Sequence, residues 1–161
     1  MSSDAPLHQA RYRHTQRADL LLILLGGVIV LTLAVWIVAS PAGALEDPVA
    51  LAVLIPVMAV LAVVLVLFSS LTVEVDDEAL RIIFGPGLVR HAWSLDRIRS
   101  WSTVRNPWWY GWGIHLTPRG WLYNVSGSGA VEIVLSDGRR CRIGTDDPSG
   151  LTAALEAIRR P

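Results

Sequence analysis

Residues able to do acid-base, nucleophilic or metal chemistry are few in this chain and spaced poorly for it. Four histidines, His8, His14, His91 and His115, are scattered over tail and strand-like segments. No two of them stand one helical turn apart with a glutamate, as a zinc protease requires. The single cysteine, Cys141, excludes an intramolecular disulfide and an all-cysteine metal cage. It alternates with Arg140 and Arg142, which would favour a thiolate, but the same alternation reads as a small apolar residue facing inward while the two arginines face out. All fourteen basic residues are arginine, so a Walker phosphate loop has no lysine to use. Gly111-Trp112-Gly113 and Gly127-Ser128-Gly129 lack the third glycine of a dinucleotide fingerprint, and Ser128 lacks the strand-turn-helix elbow of a hydrolase nucleophile. These absences point to a chain without catalytic residues, metal or cofactor.

The remaining chemistry is that of contact. Pro107-Trp108-Trp109-Tyr110-Gly111-Trp112, preceded by Arg105, is the densest aromatic run. Its rings suit a membrane interface, a hydrophobic groove for a partner peptide, or alternate positions of a barrel core. Arg97, Arg99 and Arg105 would form a basic stripe toward an anionic leaflet, worth about 1 kcal/mol each near the surface, or else solvated strand faces. Fourteen acidic residues cancel the arginines, so no global basic excess argues for nucleic acid. Arg119-Gly120-Trp121-Leu122-Tyr123 has the look of an RNA-stacking strand, but that module interleaves two helices with its strands and this chain offers one, at the end.

Something must hold these groups in place, and composition names the first scaffold. The chain of 161 residues is 52% hydrophobic and 17% charged, with a mean hydropathy of +0.45, too apolar for an ordinary soluble domain. Residues 20–39 and 49–68 carry no charge, and each is long enough at about 1.5 Å per residue to span the roughly 30 Å hydrocarbon layer. Residues 40–48 supply Pro, Gly and acidic residues for a short turn, so the expectation is a membrane hairpin. A cleavable secretory signal is the rival reading, because Ala42-Gly43-Ala44 resembles a cleavage site, although the apolar run is longer than a signal core. Arg11, Arg13 and Arg17 precede the first span, whereas the loop holds Glu46 and Asp47 and no base. The positive-inside rule then places the amino terminus and, after two crossings, residues 70–161 in the cytoplasm. Trp36 suits an interfacial anchor, Gly26-Gly27 a close helix contact and Pro56 a bend.

The rest reads as sheet. Leu71, Val73 and Val75 alternate with polar residues, Asp76-Asp77-Glu78 turns the chain, and Leu80, Ile82 and Phe84 line a second strand before Gly85-Pro86-Gly87. Further strands are expected over 88–93, 98–104, 110–117 and 121–125, then through Val131, Ile133 and Leu135 to a tight Asp137-Gly138 turn, with Cys141 and Ile143 inward on the last. Asp147 and Pro148 start a helix whose Leu151, Leu155 and Ile158 recur at i, i+4 and i+7.

Arg105-Asn106-Pro107, Gly111-Trp112-Gly113, Thr117-Pro118-Arg119-Gly120-Trp121 and the closing Ile143-Gly144-Thr145-Asp146-Asp147-Pro148 resemble the pleckstrin-homology-like domain of small bacterial membrane proteins, over about residues 71–161. The arginine-only, Ala/Val/Leu/Gly-rich composition suits a GC-rich bacterial genome. The resemblance implies an α+β fold, a pleckstrin-homology-like barrel of about seven antiparallel strands capped by one C-terminal helix, and no catalysis or established ligand. Eukaryotic pleckstrin domains grip phosphoinositides with basic residues near their first strand loop, but Asp76-Asp77-Glu78 would repel phosphate. The expected organisation is a cytoplasmic tail (1–19), a two-helix transmembrane hairpin (20–69) and a cytoplasmic domain (70–161) at the bacterial cytoplasmic membrane. Expected partners are the bilayer, an unidentified membrane or cytoplasmic protein and a second copy of the chain. The candidate interaction residues are Arg105, Trp108, Trp109, Tyr110 and Trp112, with Arg97 and Arg99 as membrane-surface candidates.

Overall fold

The computed structural model describes residues 11–39 and 47–159. His8, Ala42-Gly43-Ala44 and Glu46 lie outside the described residues. Two helices, α1 (Asp19–Ala39) and α2 (Pro48–Leu67), are apolar on all sides, and both are long and apolar enough to cross a membrane. Asp47 caps α2 by accepting the Val49 N–H at 2.9 Å, and Pro48 takes the first turn, where its missing N–H costs nothing. A Cβ on Gly26 or Gly27 would meet nothing within 4 Å, so these glycines do not serve the close helix contact expected of them.

The segment read as a tail is not one along its whole length. Tyr12–Arg17 form β1, which pairs antiparallel with β2 (Ser70–Val75), Arg17 opposite Ser70. The Ala18 N–H extends the ladder to the Ser69 carbonyl at 3.0 Å. The two apolar helices are thus an insertion between two paired strands. Nothing aliphatic marks β1. Its inward-facing positions are Tyr12, His14 and Gln16: Gln16 is buried and its amide nitrogen donates to the Ser126 carbonyl at 3.0 Å, and His14 meets Asp146 at 2.5 Å. On the opposite face the hydroxyls of Thr15 and Thr72 meet at 2.8 Å. The first sheet continues through β3 (Ala79–Phe84) to β4 (Val89–Ser94), in the order β1-β2-β3-β4.

The second sheet contains β5 (Ile98–Arg105), β6 (Gly113–Thr117), β7 (Gly120–Asn124), β8 (Gly129–Leu135) and β9 (Arg140–Gly144), ordered β5-β8-β9-β7-β6. The expected barrel of about seven antiparallel strands is therefore corrected to nine strands in two sheets, with no ladder joining the sheets among the described residues and with β7 and β9 parallel. The parallel pair follows from the Asp137-Gly138 turn, which folds β9 back beside β8 into the slot next to β7. At the end of that slot Gly144 lies so close to the Asn124 side chain that a Cβ there would collide with it.

The facing sheets bury Leu71, Leu80, Ile82 and Phe84 against Val131, Ile133 and Ile143. One open side of this core is closed by α3 (Pro148–Arg159), which sets Leu151 and Leu155 on β1, β2, β5 and β8. Asp147 is its N-cap, accepting the Gly150 N–H at 2.9 Å, as the sequence predicts, and it also accepts the Tyr12 hydroxyl at 3.2 Å. The Gly150 N–H, then the Ser149 and Tyr12 hydroxyls, hold this carboxyl below the ordinary carboxylate range against the opposing effect of desolvation. A depressed folded pKa contributes stability above the unfolded value of about 4 that is lost as the pH falls through the folded one. Asp147→Ala is expected to cost about 0.5–2 kcal/mol at neutral pH. Denaturant melts at descending pH should show the gap to wild type closing below about pH 4; a gap independent of pH would refute this account of the cap.

Candidate functional site

Because β1 and β2 hold the helix roots, each strand of the first sheet runs either toward the helices or away from them, and the head has a helix-proximal and a helix-distal end. The aromatic run lies at the proximal end. Trp108–Tyr110 form a single 3-10 turn between Pro107 and Gly111, whose φ of +66° favours glycine. This turn interrupts the strand expected over 110–117 and throws the rings outward. Trp108 is 86% exposed and Trp109 67%, edge to face at 6.0 Å, so neither fills the core. Tyr110 and Trp112 are half-buried. Trp108 and Trp112 share a hollow of about 500 Å³ with Leu20 of α1, and Trp112 shares another of about 410 Å³ with Leu21, Val64 and Phe68 at the helix roots. The loop and the apolar helices thus begin at the same level.

The base of the loop is anchored by charge. Arg142, expected to face solvent, is buried on the outer side of β9, where its Nε donates to Glu132 Oε2 at 2.8 Å and its Nη1 to Asn106 Oδ1 at 3.0 Å. The Asn106 N–H in turn donates to the Ser128 carbonyl at 2.7 Å. Strand alternation gave the correct face for Arg142, but the Asn106 turn covers that face. Arg105 remains exposed and reaches Ser128 Oγ at 3.5 Å.

Arg97 and Arg99 lie elsewhere. Arg97 closes a 3-10 turn (Leu95–Arg97) and Arg99 is the second residue of β5, so they sit at the distal end, with Arg99 about 20 Å of strand from Arg105. The three arginines do not form one stripe toward the helices. Arg97 instead borders a cleft of about 700 Å³ between β4 and the β6-β7 edge, the side of the core opposite α3. His91, Trp93 and Tyr123 cluster across it, with ring centroids 4.4 to 5.7 Å apart. Leu116 and Trp121, cross-strand partners in the β6-β7 hairpin, form an exposed apolar wall. Arg139 and Arg140 stand on the rim.

Electrostatics tune this end without suggesting a reaction. Burial, with Arg139 adding to it, lowers the His91 pKa and keeps the imidazole neutral at pH 7. Burial pushes the Cys141 thiol up, against the pull of Arg139, so it is no activated nucleophile. Hydrogen bonds from the Arg139 side chain and backbone hold Asp137 below its ordinary value. No three His, Cys, Asp or Glu side chains among the described residues come together to hold a metal ion. Sequence reading missed the cleft because its walls come from five strands and two turns; the one local clue is Leu116 facing Trp121 across the Pro118-Arg119 turn, two large apolar residues that continue the core-facing side of Ile114, Tyr123 and Cys141 beyond the covered core. No protein-family model, curated protein or solved structure matches the chain.

Proposed function

We propose that the chain is a bilayer-anchored, non-enzymatic binding module of the bacterial pleckstrin-homology-like kind, held at the inner face of the cytoplasmic membrane and engaging another protein. The observation that carries this reading is the division of labour between the two ends of the head. Exposed Trp108 and Trp109 lie level with the helix roots, where indole rings favour the lipid-water interface, and the open cleft lies at the far end, accessible to a partner. Pairing of β1 with β2 returns both helix roots to one side, as two crossings require. The β2-β3-β4 meander and the C-terminal helix packed on both sheets support the family resemblance, while the parallel β7-β9 pair departs from it. The arginines before α1 support a cytoplasmic head.

The Trp loop on this reading is a seat on the bilayer, favoured over a partner groove by its position. Full-length protein in nanodiscs with bromines on the upper acyl carbons tests it. The emission lost on replacing both Trp108 and Trp109 by Ala should be strongly quenched by the brominated lipid, by about half or more, as for rings at the interface. If that difference emission were as bright in brominated as in ordinary lipid, the loop would not touch the bilayer.

A further inference from the structure

Of the two open sides of the core, α3 covers one and the cleft occupies the other. Four consecutive residues of β4, His91, Ala92, Trp93 and Ser94, line that cleft. Side chains of a strand alternate between faces, so a hollow touched by four in a row runs along the strand's edge. Among the described residues the edge is open, since β4 is last in its sheet and pairs only with β3.

The phase of the ladder tells which backbone groups face the opening. The Leu95 N–H donates to the Glu78 carbonyl at 2.9 Å, and the register sets Trp93 opposite Leu80 and His91 opposite Ile82. Hydrogen-bonded pairs alternate along an antiparallel ladder, so Trp93 and His91 direct their N–H and C=O groups at β3. Those of Arg90, Ala92 and Ser94 point the other way, as a template for one more strand. Facing them is the apolar wall of Leu116 and Trp121, respectively 68% and 46% exposed.

Charge selects the occupant. Arg97, Arg139 and Arg140 line the cleft and no carboxylate among the described residues does; Asp137 is shared by Arg97 and Arg139, and Glu132 divides its oxygens between Arg140 and the buried Arg142. We infer that β4 accepts, as an added strand, an extended acidic segment of a partner protein, whose apolar side chains lie on Leu116 and Trp121 and whose carboxylates face Arg139 and Arg140. The inference rests on the head being a protein-binding module and names the surface and the chemistry of its partner. A lipid does not fit, because the cleft lies at the end away from the helix roots.

The test uses full-length protein in nanodiscs and a synthetic eight-residue peptide alternating valine with glutamate, beside its valine-lysine counterpart. The acidic peptide should bind saturably and more weakly as salt rises, and hydrogen exchange of the Arg90, Ala92 and Ser94 amides should slow on binding. Methylating alternate peptide nitrogens should weaken binding about tenfold or more, the loss of one or two net hydrogen bonds. Arg139→Glu with Arg140→Glu should abolish the preference for the acidic peptide. Ala92→Pro, which removes an outward N–H from an edge strand, should weaken binding while leaving the melting temperature near wild type; if that variant misfolds, the methylated peptide still decides. Equal binding of both peptides, binding without protection of the three amides, or protection of them in the free protein that rises with concentration, the mark of a second copy on this edge, would each overturn the inference. Lipid quenching of the Trp loop is measured separately, so bilayer seating and strand addition fail independently.

Discussion

Replacing Glu132 by Ala is expected to lower stability by about 3–5 kcal/mol, because it strands the Arg142 guanidinium in a site closed to water. Glu132 and Arg142 are register partners on β8 and β9, both more than nine-tenths buried, and among the described residues the arginine keeps only Asn106 Oδ1 when the carboxylate goes. At about 2–4 °C per kcal/mol for a chain of this size, the melting temperature of the purified protein should fall by roughly 10 °C. Replacing both residues by Leu removes the uncompensated charge along with its partner and should restore much of the loss. A drop under about 1 kcal/mol for Glu132→Ala would mean that water reaches Arg142, which the packing of the Asn106 turn forbids. Since the same arginine anchors Asn106, the single variant should also speed amide exchange through 106–113 beyond the global effect.

Phe84→Ala is expected to cost a similar 3–5 kcal/mol, through a cavity and not a charge. Phe84 is 1% exposed at the end of β3 and meets Phe68, at the foot of α2, edge to face at 5.7 Å. The next residue, Gly85, has φ +49° and abuts the Val66 and Leu67 carbonyls so closely that no Cβ fits. The β3-β4 turn is therefore pressed against the helix root, and collapse around the missing ring is resisted from both sides. Chemical denaturation of the head should show the loss. A double-mutant cycle with Phe68→Ala should return a coupling of about 0.5–1.5 kcal/mol, and zero coupling would show that the ring pair does not join head and helix.

What the sequence disclosed, and what it withheld, divides along local and non-local physics. The α1 and α2 spans, the alternation of Leu71, Val73 and Val75, the Asp137-Gly138 turn and the Asp147-Pro148 cap are all legible within a few residues, because period and capping are local. β1 is invisible to such reading: Gln16 is buried because β2 and the turn after β7, both beyond the helix pair in sequence, cover it and supply its partner at the Ser126 carbonyl, not because it is apolar. The burial of Arg142 depends on a turn 36 residues away. The aromatic run invites a core assignment by composition, and only the 3-10 turn between Pro107 and Gly111 reverses it. The cleft gathers β4, β6, β7, β8 and β9 with the turns before β5 and β9, so no window of sequence contains it.

The insertion of α1 and α2 between β1 and β2 has a mechanical corollary. A globule hung from a single chain can swivel; one whose two attachment points are the opposite sides of one ladder rung, Arg17 against Ser70, is mounted like a bracket. Torque on the helix pair passes into the first sheet, and the heading of β4 relative to the rods is set by covalent geometry and cross-strand bonds rather than by diffusion of a tether. A ligand arriving at that edge meets a surface already aimed.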